Sequence, residues 1–91
     1  MEYNWDPKKE QININKHGIT FSEAVEILES DYCLILKGDT DHSEDRFVFL
    51  GLSKKLKILV VVVAYPEEEL TRIISARKAT KKERSFYEKR I

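Results

Sequence analysis

Apolar and polar positions change period twice along the chain, dividing it into a helical beginning, a stranded middle and a helical end. Phe21, Ala24, Val25, Ile27 and Leu28 recur at three- and four-residue spacing, which gives one helix an apolar stripe to turn towards a core. Just before that stripe, Thr20-Phe21-Ser22-Glu23 has the form of a capping box, Thr20 accepting from the N–H three residues on and Glu23 reaching back to that of Thr20. This helix is expected to run to about Glu29. An earlier helix opens at Asp6-Pro7, with Asp6 as N-cap and Pro7 at the first helical position, where its missing N–H is harmless. It runs to about Lys16, and His17-Gly18 ends it because Gly18 adopts the left-handed conformation that other residues resist.

Strand-like runs follow at residues 33–36, 46–53, 56–65 and 70–77. Within 56–64 only Lys57 is polar, which predicts a central strand covered on both faces over much of its length. The two-residue link Lys54-Lys55 makes the middle pair a hairpin, without the Asn-Gly signal that would fix its turn type. Thr80-Lys81-Lys82-Glu83 is a second capping box, opening a terminal helix over residues 81–89. The polar stretches 37–45 and 66–69 read as loops. The predicted class is α+β: two N-terminal helices, a four-stranded, mainly antiparallel sheet and a C-terminal helix. Ninety-one residues that are 42% hydrophobic suffice for one modest core, so a single domain over 1–91 is expected.

Composition narrows the setting. The charged fraction is 35%, yet apolar runs such as 47–52 are too strong for a disordered chain. The longest apolar run falls short of the roughly 18 residues a membrane span needs, and the N-terminus lacks a signal peptide's basic start and apolar middle. A cytoplasmic protein with no membrane partner is expected. The one cysteine, Cys33, has no internal partner for a disulfide, fits a reducing compartment and is read as a packing residue.

Charge distribution is more telling than net charge. From Thr71 onward, eight Lys or Arg stand against Glu83 and Glu88, so that segment carries +6 and the other seventy residues −6, the whole chain being neutral. Such a positive face can dock phosphates, and polyanion binding is the first function the pattern suggests.

Three blocks of sequence carry a resemblance: WDPKKEQININKHGITFSEA at the start, HSEDRFVFLG in the middle and RIISARKATKKERSFYE at the end. In content, order and approximate spacing they resemble the BrnT-type toxins of bacterial type II toxin-antitoxin systems, small proteins placed with the RelE-like ribonuclease toxins. The resemblance implies a RelE-like fold and a ribonuclease activity that inhibits translation and arrests growth. It also implies a cognate ribbon-helix-helix antitoxin of the BrnA kind, through which the complex reaches operator DNA, with a homodimer inside that complex as a further expectation. One departure stands out. Where many relatives have His or Tyr followed by Thr and Glu after the central strand, this chain has Ala64-Tyr65-Pro66, so either Tyr65 serves in that place or the site is weakened.

Cleaving RNA without a metal or cofactor requires a base, an acid and a cation for the phosphorane oxygens as the 2′-hydroxyl attacks the neighbouring phosphate. Arginine suits the cationic role because its planar fork binds two oxygens at once. Arg77, at the strand end beside the basic helix, is the first choice; Arg72, five residues earlier, faces the other way in a regular strand and joins only if a bulge turns it. For both, an ion pair with Glu67, Glu68 or Glu69 is the competing reading. His17 is the candidate acid or base, set against a capping role at its helix end. Glu83 is a candidate base that its capping box already explains. Tyr87, one turn further along the same helix, stacks on a base or donates a proton unless it and Phe86 dock the helix on the sheet. Lys16, Lys78, Lys81, Lys82 and Arg84 are the expected RNA-backbone contacts.

His42, in the acidic stretch 39–45, superficially resembles part of a metal loop, but the Gly that a calcium-binding hand needs is missing and no second His or Cys cluster supports zinc, so no metal is expected. Glu44 and Arg46 flank a strand start and read as an ion pair holding that loop, and Trp5 reads as a hydrophobic anchor. Two function classes remain: an endoribonuclease toxin, or a non-catalytic module that binds a DNA-binding partner and contributes to transcriptional autoregulation.

Overall fold

A computed structural model describes residues 2–39 and 46–91. The elements are β1 (Glu2–Asn4), α1 (Pro7–His17), α2 (Phe21–Leu28), β2 (Leu34–Asp39), β3 (Arg46–Leu52), β4 (Ile58–Glu67), β5 (Leu70–Lys78) and α3 (Lys81–Glu88). They form an α+β fold around a five-stranded sheet of order β1-β5-β4-β3-β2, antiparallel except where β1 lies parallel to β5. The expectation of four strands is therefore corrected by one, since β1 precedes the two N-terminal helices. Its three residues contain one apolar side chain, Tyr3, too few to show a strand period, and its pairing partner lies almost seventy residues away.

The first face of the sheet is covered by α1 and α2. Ile19, Phe21, Ala24 and Ile27 pack there against Leu59, Val61, Val63, Ile73 and Ala76, all buried. Helix α2 comes so close that a Cβ on Gly51 would lie 2.6 Å from Ile27 Cγ2, which is why β3 carries a glycine at that point. Trp5 does anchor the N-terminus, its ring edge-on to Phe21 at 6.0 Å and its indole N–H donating to Glu10 at 3.2 Å. The other Glu10 oxygen accepts from the Phe21 N–H, so one carboxylate ties α1 to the start of α2. On the second face, α3 covers one end of the sheet, with Tyr87 buried against Leu50 and Val60.

Several local expectations need adjusting. The β3–β4 link closes with a bond from the Leu56 N–H to the Ser53 carbonyl, and Leu56 itself has φ 63°, so the loop is a three-residue turn ending in a left-handed residue rather than the two-residue link Lys54-Lys55. Strand β2 extends through Lys37, Gly38 and Asp39, which pair with Val48, Phe47 and Arg46, although their polarity suggested a loop. Pro66 and Glu67 likewise belong to β4, where an irregularity in register accommodates a residue with no N–H to donate. The Thr20 box is half formed: Thr20 accepts from the Glu23 N–H, while Glu23 is buried and its Oε2 has no partner. The second box, at Thr80 and Glu83, is complete. His42 and Glu44 lie outside the described residues.

Candidate functional site

The arginines singled out in the sequence share the second face of the sheet, at its two ends. Register pairs Val60 with Arg77, Val62 with Ser75 and Ala64 with Arg72. Val60, Val62 and Ala64 alternate along β4 and so share one side, which their partners share too. Five residues apart, Arg72 and Arg77 would diverge in a regular strand. A bulge in β5 at Ile74 supplies the extra residue, because Val62 and Val63 are opposed by Ser75 and Ile73, and it returns Arg77 to the side of Arg72. Between them the surface is floored by Val62, Val48 and Ser75, all half-buried.

Helix α3 bounds this surface. It starts beside the end of β5 and reaches the start of β2, where the Tyr87 hydroxyl donates to the Tyr32 carbonyl at 2.9 Å. Burial pushes the Tyr87 phenol up, and at 4% exposure its ring is part of the packing. At the helix start, Arg77 makes a forked ion pair with Glu83, Nη1 to Oε1 at 2.8 Å and Nη2 to Oε2 at 3.0 Å, while Nη1 also donates to the Lys78 carbonyl. Glu83 Oε1 further accepts from the Thr80 N–H at 2.8 Å. These bonds, Arg77 first, hold the Glu83 carboxyl down at about 2.

A carboxyl depressed in the folded state adds stability above its unfolded range, near 4.5, and loses it as the pH falls through about 2. Solvent screens the pair, whose side chains are 39% and 23% exposed. Glu83→Gln is accordingly expected to lower the melting temperature modestly at pH 7, with the deficit vanishing as the pH approaches 2. Melting curves of both proteins across that range check this, and an equal deficit at both ends would show that the charge of Glu83 is irrelevant.

The remaining candidates are distributed over other surfaces. His17 and Lys16 end α1, on the opposite side of the sheet, and line a cavity of about 210 Å³ at the outer edge of β5 with Lys9, Ile12, Asn13, Ile74 and Ser75. Lys78, Lys81 and Arg84 come together with Lys57 around a cavity of about 620 Å³ between α3 and the β3–β4 turn. Lys82 lines a separate hollow on α3 with Phe86 and Arg90, whose guanidinium sits 3.5 Å above the Phe86 ring. Among the described residues no group of three or more His, Cys, Asp or Glu gathers to hold a metal, and no helix is long and apolar enough to cross a membrane.

A family model described as the ribonuclease toxin BrnT of type II toxin-antitoxin systems matches residues 5–83. The chain belongs to the BrnT family. The crystal structure of the Brucella abortus ribonuclease toxin BrnT is similar throughout, with a TM-score of 0.71 at 28% identity over 89% of this chain and 99% of that one. A comparison with curated proteins finds no match. As a BrnT protein the chain is the ribonuclease toxin of a type II system, which implies a cognate antitoxin.

Against that identity the departure at Ala64-Tyr65-Pro66 acquires a location. Ala64 lies on the second face between Arg46 and Arg72, whereas Tyr65 packs its ring, tilted by 60° at 5.3 Å, against Phe47, a residue packed on the first-face core. Tyr65 therefore does not take the place that Ala64 leaves. Burial pushes its phenol up, and pushes the nearby Cys33 thiol up to about 11, so Cys33 is a poor nucleophile in this BrnT chain. Two residues passed over in the sequence matter to the arrangement. Lys57 completes the basic cavity, and its signal was visible as the lone charge in an apolar strand. Asn13 secures the helix that carries Lys16 and His17, and its signal was a polar residue at the inward spacing Glu10, Asn13, Ile14, His17.

Proposed function

We propose that this BrnT toxin cleaves RNA without a metal on the second face of its sheet, in the cytoplasm, acting as one domain. The observation that carries the reading is the β5 bulge, which puts Arg72 and Arg77 on one face along which an RNA strand can run from one to the other. Arg77 supplies positive charge to the phosphorane as the 2′-hydroxyl attacks, and Glu83 fixes the orientation of its fork. A carboxyl held near 2 accepts protons weakly at neutral pH, so Glu83 is assigned a positioning role and the general base is sought elsewhere. His17 serves as the acid or base if the RNA strand bends over the β5 edge towards Ser75. Lys57, Lys78, Lys81 and Arg84 hold the flanking backbone.

The antitoxin is of the ribbon-helix-helix kind. An acidic segment of it covers the basic surface and so masks the RNA site, while its DNA-binding part carries the complex to the operator. Cleavage of a labelled single-stranded RNA by the purified protein in excess EDTA tests the catalytic reading. Cutting that persists in EDTA supports it; a folded protein that cuts only when a divalent metal is restored refutes the metal-free chemistry.

A further inference from the structure

Arg46 was read from the sequence as half of an ion pair with Glu44, which lies outside the described residues, and its described surroundings bear on a further role. It opens β3, and register places it opposite Ala64, which is itself opposite Arg72, so Arg46, Ala64 and Arg72 form one cross-strand row on the second face. Ala64 is fully buried although α1 and α2 lie on the other side of the sheet, and both flanking arginines are half-buried. The Arg46 Nε–H is buried and has no acceptor. Asp39 stands opposite Arg46 on the other side of the row, and among the residues whose side chains are described no carboxylate pairs with Arg46 or with Arg72. A buried guanidinium donor left without an acceptor is unfavourable, and an oxyanion arriving at the face would supply what it lacks.

We propose that Arg46 and Arg72 together grip one phosphodiester of the RNA over Ala64, making Arg46 a substrate-binding residue of this toxin. The proposal rests on the reading that RNA lies along this face. Two strand spacings separate the arginine Cα atoms by roughly 10 Å, a gap that their long side chains close from either side. At Ala64 the row carries only a methyl group between them. Arg77 lies four β4 residues away, opposite Val60, so the row holds the backbone at a point distinct from the one Arg77 serves. The RNA strand then runs along β4 over Val62, gripped at both ends of the open face.

The test uses the full chain and a single-stranded RNA with 2′-O-methyl riboses, which lacks the attacking hydroxyl and reports binding alone. Anisotropy titrations over a salt series compare wild type, Arg46→Ala and Arg46→Lys. Arg46→Ala should weaken binding about tenfold or more and reduce the salt slope by roughly 0.7, the loss of one phosphate contact. Arg46→Lys should keep the slope and still bind several-fold more weakly, because it retains the charge without the fork. If Arg46→Ala does not fold, the lysine variant decides alone. Wild-type affinity and slope in a folded variant would overturn the proposal and leave Arg46 a structural residue. Folded wild-type protein that binds no RNA would instead overturn the reading of the face, and the proposal with it.

Discussion

Replacing Asn13 with Ala should destabilise the protein by about 3 kcal/mol or more, the largest loss expected from any single polar side chain in it. Asn13 is 5% exposed and uses its amide fully: Nδ2 donates to the Ile19 carbonyl at 2.9 Å and to the Ala76 carbonyl at 2.8 Å, while Oδ1 accepts from the Ala76 N–H at 3.1 Å. Because β1 pairs with β5 only as far as Arg72, the outer edge of β5 at Ala76 has no neighbouring strand, and Asn13 presents the donor and acceptor that a strand would have offered. Truncation would strand three buried backbone groups, each costing about 1–3 kcal/mol if water cannot reach it. For a domain of this size that corresponds to a fall in melting temperature of roughly 12 °C or more. Asn13→Asp should do no better, since its carboxylate would face two carbonyl oxygens. A loss under about 1 kcal/mol in denaturant titration would mean that water replaces the amide and that α1 is held by other contacts.

The same residue shows where sequence reasoning reached its limit. The caps, Asp6-Pro7 and Gly18, placed α1 correctly, because a capping side chain acts within a few residues of itself and leaves a local mark. What α1 buries was not legible, because its inward positions are Glu10, Asn13, Ile14 and His17 while Ile12 is 63% exposed, an inversion of the usual apolar stripe. Polar groups can face inward there only because specific backbone atoms from α2 and β5 receive them, and those partners are distant in sequence. The β5 bulge was equally hidden. Residues 70–77 read as one strand, and the spacing of Arg72 and Arg77 on a regular strand argued against a shared face. The bulge follows from how the strand must register with β4, a constraint that the apolar pattern of β5 alone does not express. The central strands were legible because their run of Val and Ile is long enough to admit no other element.

Arg77→Ala should reduce RNA cleavage by about 100-fold or more while leaving the fold intact. Removing a single preorganised donor to a developing oxyanion typically costs on the order of 10²–10³ in rate, and an arginine removes a full charge as well as its donors. Its contribution to stability is smaller, because the pair with Glu83 is partly exposed and Glu83 keeps its capping bonds to Thr80 when Arg77 is gone. Arg77→Lys should recover little, since an ammonium does not reproduce the fork that now engages both Glu83 oxygens. Glu83→Gln separates positioning from proton transfer. If Glu83 only orients Arg77, the variant cuts more slowly than wild type but well above the Arg77→Ala rate, with the same dependence on pH; if Glu83 were the general base, the loss would match or exceed that of Arg77→Ala. Single-turnover cleavage of a labelled RNA from pH 5 to 9, with melting curves for each variant, makes the comparison. Wild-type rates in a folded Arg77→Ala protein would remove Arg77 from the site and shift the chemistry to the row of Arg46 and Arg72 on the same face.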